Sequence, residues 1–535
     1  MSNHVPMVFR TDLNALRAVA VVAVVLFHFY PSILPGGYVG VDVFFVVSGF
    51  LMTKKIYEKL LMGDFSFYDF YLSRARRIIP ALAFLCFVLL VMGWFYLTPY
   101  KYLELGKHVA ASLGFISNII YWKDVGYFDS AAHDKWLLHT WSLSVEWQFY
   151  ILYPVVLFVL FKFFNKKLMI IFFSLLAISS LFFSHYLSGV YEKASFFLLP
   201  TRAWEMLFGG FVYFFENKTC KVKKVWVQLF GVLLVLFPMF LFDKESLWPS
   251  FYTLVPVFGV MLIVFSGKDG FFLKNPIVSF LGLISYSVYL WHWPVLVFMN
   301  YMGASELGLL YGIGFSLLLG VFSYYLIENR FFLGRVFVVS FFIFSLGSLV
   351  YFYNGVYWRD IKGWAEVIRS PLAYDCQPEN IEGCDLFSNK NPTWAVIGNS
   401  HAVEISYVLA NKLKEKDGIK QFTYAGCDLS YGREIESDCK RWTEAAVNNI
   451  INNESIKNVV ISFRLSSSLF GDQLANYPDI PDSYPALGAG LSKQEGRKKI
   501  LDSFTSMIND ISKSGKNVYV ILPIPELDVD ISKKA

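Results

Sequence analysis

Eleven apolar runs, each close to the length that a helix needs to cross a bilayer, follow one another over the first 353 residues. Inside the hydrocarbon core only helices and closed barrels satisfy every backbone polar group, and a spanning helix takes roughly 20 residues. Hydrophobic residues make up 56% of the chain and charged residues only 17%, a balance that is rare in soluble proteins. The runs therefore predict a polytopic α-helical membrane domain. Its expected spans lie near 13–31, 38–55, 78–98, 145–163, 168–187, 196–215, 225–242, 251–266, 276–299, 307–327 and 336–353.

The basic residues predict which way the spans run. One further segment, 107–122, is short and only moderately apolar, and we expect it to be re-entrant or interfacial. If it does not cross, Lys and Arg collect on one side, which the positive-inside rule assigns to the cytoplasm together with the N-terminus. Eleven crossings then leave the polar tail, from about residue 354 onward, on the outer side. The net charge of +5 is too small to indicate a nucleic-acid partner, and we expect none.

The first run, "NALRAVAVVAVVLFHFY", carries Arg17 and His28, which are both costly in hydrocarbon. Eleven residues advance a helix by about 1100°, so the two side chains share one face about 16 Å apart along the axis. Asp42 lies in the second run, a short loop away, where a carboxylate needs a partner. We expect Asp42 to pair with His28, the combination used in general-base catalysis. The alternatives are that Arg17 extends to the lipid headgroups and that the pair of His28 and Asp42 is purely structural.

Further ionisable residues within the apolar runs indicate a polar cavity inside the helical bundle. They are Glu146, Arg202, Glu205, His292 and Glu328. A basic cluster of Arg74, Arg76 and Arg77 precedes the third run on the predicted cytoplasmic side. Guanidinium groups bind phosphate bidentately, which makes the cluster a candidate clamp for a nucleotide-bearing cofactor. Contact with anionic lipid is the simpler explanation of three arginines taken alone.

The tail alternates helical stretches with the apolar runs 393–402, 457–467 and 516–526, which predicts an α/β domain with a parallel sheet. In "AVIGNSHA" a strand leads through a tight turn to Ser400 at the start of a helix. At that place a nucleophile and its oxyanion find backbone N–H groups, so Ser400 is a candidate catalytic residue. An ordinary helix cap is the alternative for this serine.

Four of the six cysteines lie in the tail, and an even number in an exported domain predicts disulfides. The simplest pairing is Cys376 with Cys384 and Cys427 with Cys439, while free thiols or a metal site are the alternatives. The spacings disfavour zinc, and the tail has a single histidine. We therefore predict no metal site.

Six motifs together resemble the membrane acyltransferase-3 family over about residues 9–335. In chain order they are "FRTDLNALRAVAVVAVVLFHF", "GYVGVDVFFVVSGFLMT", "YLSRARRIIP", "HTWSLSVEWQFYILYP", "LGLISYSVYLWHWPV" and "YYLIENRFF". The resemblance implies that acetyl-CoA is the donor on the cytoplasmic side and that an acetyl group reaches an acceptor on the outer side. It also implies that His28 is catalytic and that Arg17 and the basic cluster lie near the CoA. The chain departs from the family at Trp147, where a second Glu often follows Glu146.

In the tail, "IGNSHA" resembles the nucleophile block of the SGNH-hydrolase-like domain that often follows acyltransferase-3 domains. Asn399 stands where that block usually has Asp, and no histidine follows His401 to complete a Ser-His-Asp triad. The chain ends just after a strand-like segment, which favours an SGNH-like domain that is incomplete at its C-terminus. The alternative is a tail that binds glycan without a full triad.

We accordingly expect three parts in the chain. Residues 1–335 form the acyltransferase-3 membrane domain with ten spans, 336–375 form a linking transmembrane helix and connector, and 376–535 form the SGNH-like domain. The expected location is the bacterial inner membrane, with a cytoplasmic N-terminus and a periplasmic tail. Membrane lipid surrounds the spans.

The expected function is transmembrane O-acetylation of an exported bacterial surface glycan, either lipopolysaccharide O-antigen or a related polysaccharide. His28, Asp42 and Ser400 are the candidate catalytic residues, with acetyl-CoA as donor. Peptidoglycan is the alternative acceptor. A proton-coupled transporter and a glycan-binding membrane scaffold are alternatives from other functional classes, since buried charges also suit transport.

Overall fold

Two compact units make up the chain, Met1–Arg359 and Asp360–Ala535. The computed structural model describes residues 10–124, 134–215, 224–243, 246–267, 275–328, 333–359, 382–386, 391–413, 417–424, 426–427, 429–433, 437–465, 469 and 492–521. The last apolar helix belongs to the first unit, whereas the sequence assigned it to a separate linking part. The three-part division of the chain stays a prediction.

The described part of the first unit is helical, and each of the predicted runs coincides with a helix. The helices are α1 (Thr11–Phe29), α2 (Gly40–Met62), α3 (Phe67–Tyr96), α4 (Pro99–Leu113), α5 (Ser117–Asp124), α6 (Thr140–Phe163), α7 (Lys166–Val190), α8 (Glu192–Phe197), α9 (Leu199–Phe215), α10 (Lys224–Leu241), α11 (Leu254–Ser266), α12 (Pro276–Tyr301), α13 (Glu306–Ser323) and α14 (Leu333–Phe352). Among the described residues, six helices are long and apolar enough to cross a membrane. They are α1, α3, α6, α7, α12 and α13 extended by a π-helical turn to Glu328. The unit is therefore a membrane domain.

The segment 107–122 is not one continuous helix. It is divided between α4 and α5, and the break contains Phe115 in the left-handed region at φ 54°. Helix α6 stabilises the break, because Gln148 Nε2 donates to the backbone O of Phe115 at 2.9 Å and Trp147 stacks on the Phe115 ring at 4.4 Å. The tryptophan that replaces a second glutamate thus has a packing role.

Helices α2 and α9 approach each other through glycines. A Cβ atom on Gly49 would lie 1.8 Å from the backbone O of Met206, and one on Gly209 would lie 2.0 Å from that of Val46. Such distances leave no room for a side chain, so the two backbones touch directly, as small residues allow between membrane helices. This contact sets the separation of the two helices that carry Asp42 and Arg202.

The substitution Gly49→Ala should destabilise the first unit, because its methyl group would have to displace the α9 backbone. Overpacking of this kind costs about 1–3 kcal/mol or more. The melting temperature of the detergent-solubilised protein measures the effect. Gly314→Ala is the matched control, since Gly314 lies within α13 with open space around it and alanine there is a better helix former. Equal melting temperatures for both variants would contradict the prediction.

The described part of the second unit is an α/β fold around a five-stranded mixed sheet. Its strands are β1 (Cys384–Leu386), β2 (Pro392–Gly398), β3 (Gly418–Thr423), β4 (Asn458–Ser462) and β5 (Asn517–Val520), and its helices are α15 (Ser400–Leu413), α16 (Asp438–Asn452) and α17 (Lys493–Lys513). The strand order is β1-β3-β2-β4-β5. Strands β2 to β5 are parallel, as predicted, while the short edge strand β1 runs antiparallel to β3.

A disulfide joins Cys427, in the loop after β3, to Cys439 in α16, which confirms that predicted pair. The other predicted pair includes Cys376, which lies outside the described residues. The same loop contacts α17, because the Tyr431 hydroxyl donates to Asp510 Oδ2 at 2.9 Å. Burial and this neighbouring carboxylate raise the pKa of Tyr431 to about 12. The loop that follows β3 is therefore held to both α16 and α17.

Candidate active site

A cavity lies between helices α1, α2, α3, α6 and α12. Its wall carries three guanidinium groups, from Arg17 on α1 and from Arg74 and Arg77 on α3. The other lining residues are Val41, Phe44, Phe45, Val47, Ser48, Leu51, Met52, Ile78, Ser142, Leu143, Glu146, Tyr150, Tyr286 and Tyr289. The structure thus brings together three arginines that the sequence predicted at one end of a bundle.

Two carboxylates offset part of this positive charge. Glu146 lines the cavity and accepts hydrogen bonds from the hydroxyl groups of Ser48 and Tyr150. Glu328 accepts one from Ser287 at 3.0 Å and interacts electrostatically with two of the three guanidinium groups. Three cations against two anions leave one positive charge in excess. An anionic ligand, above all one with phosphate groups, complements such a site.

Arg76 does not line this cavity, although the sequence grouped it with its neighbours. Residues three apart share a face of a helix, whereas the next residue along is turned by about 100°. Arg74 and Arg77 therefore face the cavity together, and Arg76 is exposed on another face of α3. Of the three arginines that the sequence grouped together, two line the cavity and the third does not.

His28, near the opposite end of α1, is paired with a second histidine. Its Nδ1 lies 2.9 Å from His292 Nε2. His292 Nδ1 lies 2.6 Å from the backbone O of Tyr289, so this nitrogen carries the proton. In a neutral ring His292 Nε2 is then an acceptor, and His28 Nδ1 donates to it. The hydrogen-bond network thus leaves the lone pair of His28 on Nε2, the state that a general base requires.

Asp42 is not the partner of His28, and this prediction was wrong. Asp42 Oδ1 accepts a hydrogen bond from Arg202 Nη2 at 2.6 Å, and Arg202 Nε lies 3.3 Å from Glu205 Oε1. All three side chains are at most 1% exposed. A carboxylate so deeply buried needs a full opposite charge, which a guanidinium always carries and a neutral imidazole does not. Asp42, Arg202 and Glu205 form an ionic tie between α2 and α9.

Tyr289 connects the cavity to the histidine pair. The hydroxyl groups of Tyr289 and Ser142, which both line the cavity, are 2.7 Å apart. The backbone O of the same tyrosine holds His292. Tyr289 of α12 therefore links the cavity lining with the pair formed by His292 and the predicted catalytic His28.

Sequence reasoning overlooked a third buried histidine, His139, at the start of α6. It is 1% exposed, and its ring lies 5.7 Å from that of His292, centroid to centroid. Helical spacing could have identified it, because positions i, i+3 and i+7 share a face and Ser142 and Glu146 follow at those intervals. The motif "HTWSLSVEWQFY" thus places His139, Ser142 and Glu146 along one face at the start of α6.

In the second unit, Ser400 lies where the sequence predicted it, at the carboxyl end of β2 and the first turn of α15. Its side chain is exposed, and Asn399 Oδ1 accepts a hydrogen bond from the His401 backbone N–H at 3.2 Å. A Cβ atom on Gly398 would lie 1.7 Å from the backbone O of Ser462, which explains the glycine before this turn. Because β2 lies between β3 and β4, Ser400 is at the crevice where open α/β sheets bind ligands.

Residues 10–327 match the family model described as an acyltransferase domain, and residues 372–535 match one described as an SGNH domain fused to AT3 domains. The chain is similar to the O-acetyltransferase OatA of Staphylococcus aureus (strain NCTC 8325), with 32% identity over 54% of this chain and 51% of that protein. It is also similar to the putative membrane-bound transacylase BcsY of Komagataeibacter xylinus, with 32% identity over 60% of this chain and 82% of that protein. The match thus spans about half the length of the staphylococcal relative. No solved structure matches the chain.

The substitution Asp42→Asn should destabilise the first unit, because it removes the carboxylate that Arg202 contacts directly. Glu205 remains beside Arg202, so the expected loss is that of a buried hydrogen-bond partner, about 1–3 kcal/mol. Glu104→Gln is the matched control, since the Glu104–Lys135 pair is partly exposed and such pairs contribute about 0–1 kcal/mol. Melting temperatures in detergent measure both effects. An Asp42→Asn protein as stable as the control variant would show that Asp42 has no role as an ionic tie.

Proposed function

Because the chain belongs to the acyltransferase family, we propose that it is a transmembrane O-acetyltransferase. It takes an acetyl group from acetyl-CoA on the cytoplasmic side and transfers it to a sugar hydroxyl of an exported bacterial surface glycan. The observation that carries the proposal is the arginine-lined cavity, whose lining residue Tyr289 accepts a hydrogen bond from His292, the partner of His28. Lipopolysaccharide O-antigen or a related polysaccharide is the proposed acceptor, with peptidoglycan as the alternative.

The arginine end of the cavity suits the phosphate groups of the donor. Arg17, Arg74 and Arg77 offer planar donor groups that bind phosphate oxygens bidentately. Acetyl-CoA supplies an activated thioester, and the three arginines would hold its phosphates while the thioester extends toward the histidines.

His28 is the proposed general base. Its Nε2 takes the proton of the acceptor hydroxyl as the hydroxyl oxygen bonds to the acetyl carbon. The carbon–sulfur bond breaks, and the same proton passes from His28 to the departing CoA sulfur. His292 acts as a positioning residue, because its hydrogen bond with His28 Nδ1 orients the base. No separate proton donor is needed.

Ser400 has a proposed role in the exported unit. It would receive the acetyl group in a relay and pass it to the glycan, while direct transfer from the membrane site is the alternative. Its exposed position beside the backbone N–H groups at the start of α15 supports the relay. The relay also needs a general base beside Ser400.

The proposed topology has eleven crossings, a cytoplasmic N-terminus and a periplasmic second unit in the bacterial inner membrane. The one-sided distribution of Lys and Arg supports it. The division of 107–122 between α4 and α5 supports treating that segment as re-entrant. With this orientation Arg17 lies near the donor side and His28 nearer the acceptor side.

The substitution His28→Ala should lower kcat for acetyl transfer by about 100- to 10,000-fold, because it removes the general base. The assay follows acetyl groups from acetyl-CoA into surface glycan in membranes bearing the full-length protein, with the product identified by NMR or mass spectrometry. Acetylation by His28→Ala at the wild-type rate would refute the catalytic assignment. Absence of acetylation with the wild-type protein on either glycan would favour the transporter or the scaffold.

The substitution Arg77→Gln should raise the KM for acetyl-CoA by about 10- to 100-fold, as expected for loss of one charge-assisted hydrogen bond of about 1.5–3 kcal/mol. Arg76→Gln is the matched control, because it removes the same charge from the same helix but from an exposed position outside the cavity. KM values from the same membrane assay compare the two variants. Equal KM values would place the donor phosphates elsewhere.

A further inference from the structure

The proposed transfer uses His28 and His292 but leaves the buried imidazole of His139 without a role. Within the described residues, neither of its ring nitrogens has a hydrogen-bond partner, although the side chain is 1% exposed. The backbone of Leu290 is near enough to interact but does not meet hydrogen-bond geometry. A buried polar group without a partner costs about 1–3 kcal/mol, so the position is unfavourable unless something binds there.

The surroundings of His139 indicate what would bind. Its ring lies 5.7 Å from that of His292 and 5.6 Å from that of Tyr289. The Tyr289 hydroxyl donates to the backbone O of His139 at 2.9 Å. One helical turn later, Ser142 lines the cavity. His139 therefore lies beside Tyr289 and His292, the two residues that connect the cavity with His28.

We propose that His139 is a further catalytic residue, which donates an N–H hydrogen bond to the carbonyl oxygen of the acetyl thioester. The inference rests on the proposed acetyl transfer and adds the group that stabilises the developing oxyanion. A donor placed where this charge develops is commonly the largest single contribution to acyl-transfer catalysis. The unpartnered ring nitrogens of a buried imidazole can supply such a donor without breaking an existing hydrogen bond.

The neutral form of His139 fits this role. As His28 accepts the hydroxyl proton it becomes positively charged, and a second charged imidazole in the same cluster would be repelled. His139 neither gains nor loses a proton, so the proton transfers of the proposed reaction stay the same. The oxygen–carbon bond forms, the carbon–sulfur bond breaks, and the hydroxyl proton reaches the CoA sulfur by way of His28.

The test compares a donor-free with a donor-bearing replacement in the full-length protein. His139→Phe keeps a ring of similar size but has no N–H group, and it should lower kcat by about 100- to 1000-fold with little change in the KM for acetyl-CoA. His139→Gln retains an N–H donor, and its kcat should be at least tenfold higher than that of His139→Phe. Melting temperatures establish that both variants are folded, and His139→Leu is the second donor-free variant if His139→Phe does not accumulate.

The matched control is His108→Phe, because His108 is also a buried histidine of the bundle but packs against the Tyr121 ring in a tilted arrangement and does not line the cavity. Its kcat should stay within threefold of the wild-type value. A folded donor-free variant at position 139 with wild-type kcat would overturn the inference, and so would His139→Gln falling as far as His139→Phe. Wild-type protein without acetyl transfer would overturn the proposed function itself, so the two failures are distinguishable.

Discussion

Charge buried in the helical bundle has to be neutralised without water, and the arrangement of the first unit depends on this constraint. Asp42 meets it through Arg202, whose single guanidinium also lies 3.3 Å from Glu205 and is thus shared by two carboxylates between α2 and α9. Glu146 meets it through two hydroxyl groups. Arg17 and its neighbours on α3 are different, because their positive charge exceeds the carboxylates around them and a cavity lies in front of them. Where buried groups of opposite charge contact each other, α2 and α9 pack closely, and where guanidinium groups outnumber the carboxylates around them, a cavity lies beside them.

The functional groups stand on long helices, which supports a geometry that does not depend on loops. Helix α1 carries Arg17 near one end and His28 near the other, so one element connects the arginine-lined cavity with the proposed general base. Helix α12 contributes Tyr289 to the cavity lining and His292 as the hydrogen-bond partner of His28. The close contact at Gly49 brings α2 against α9 and thereby lets the ionic tie form. The catalytic proposal and the stability of the bundle thus use separate sets of buried charges.

Much of the fold and part of the site could be predicted from local patterns. Ser400 was placed correctly because a strand, a glycine turn and a helix start are consecutive in the sequence. Strand β3 was missed because it includes Lys420 and Gln421, and Gln421 is buried in spite of its polarity. His139 was missed because a single histidine beside an apolar run has no local signal apart from its spacing to Ser142.

The sequence by itself determined the helical membrane unit and the α/β tail, because hydropathy patterns are properties of neighbouring residues. Only the tertiary structure decided which buried groups are partners. Arg202 is 160 residues from Asp42, and His292 is 264 residues from His28. Over such separations helix packing determines contact, and of the candidate partners for a buried carboxylate the permanent charge of a guanidinium is more effective than a neutral imidazole. The histidine that the sequence paired with an aspartate is therefore paired with another histidine.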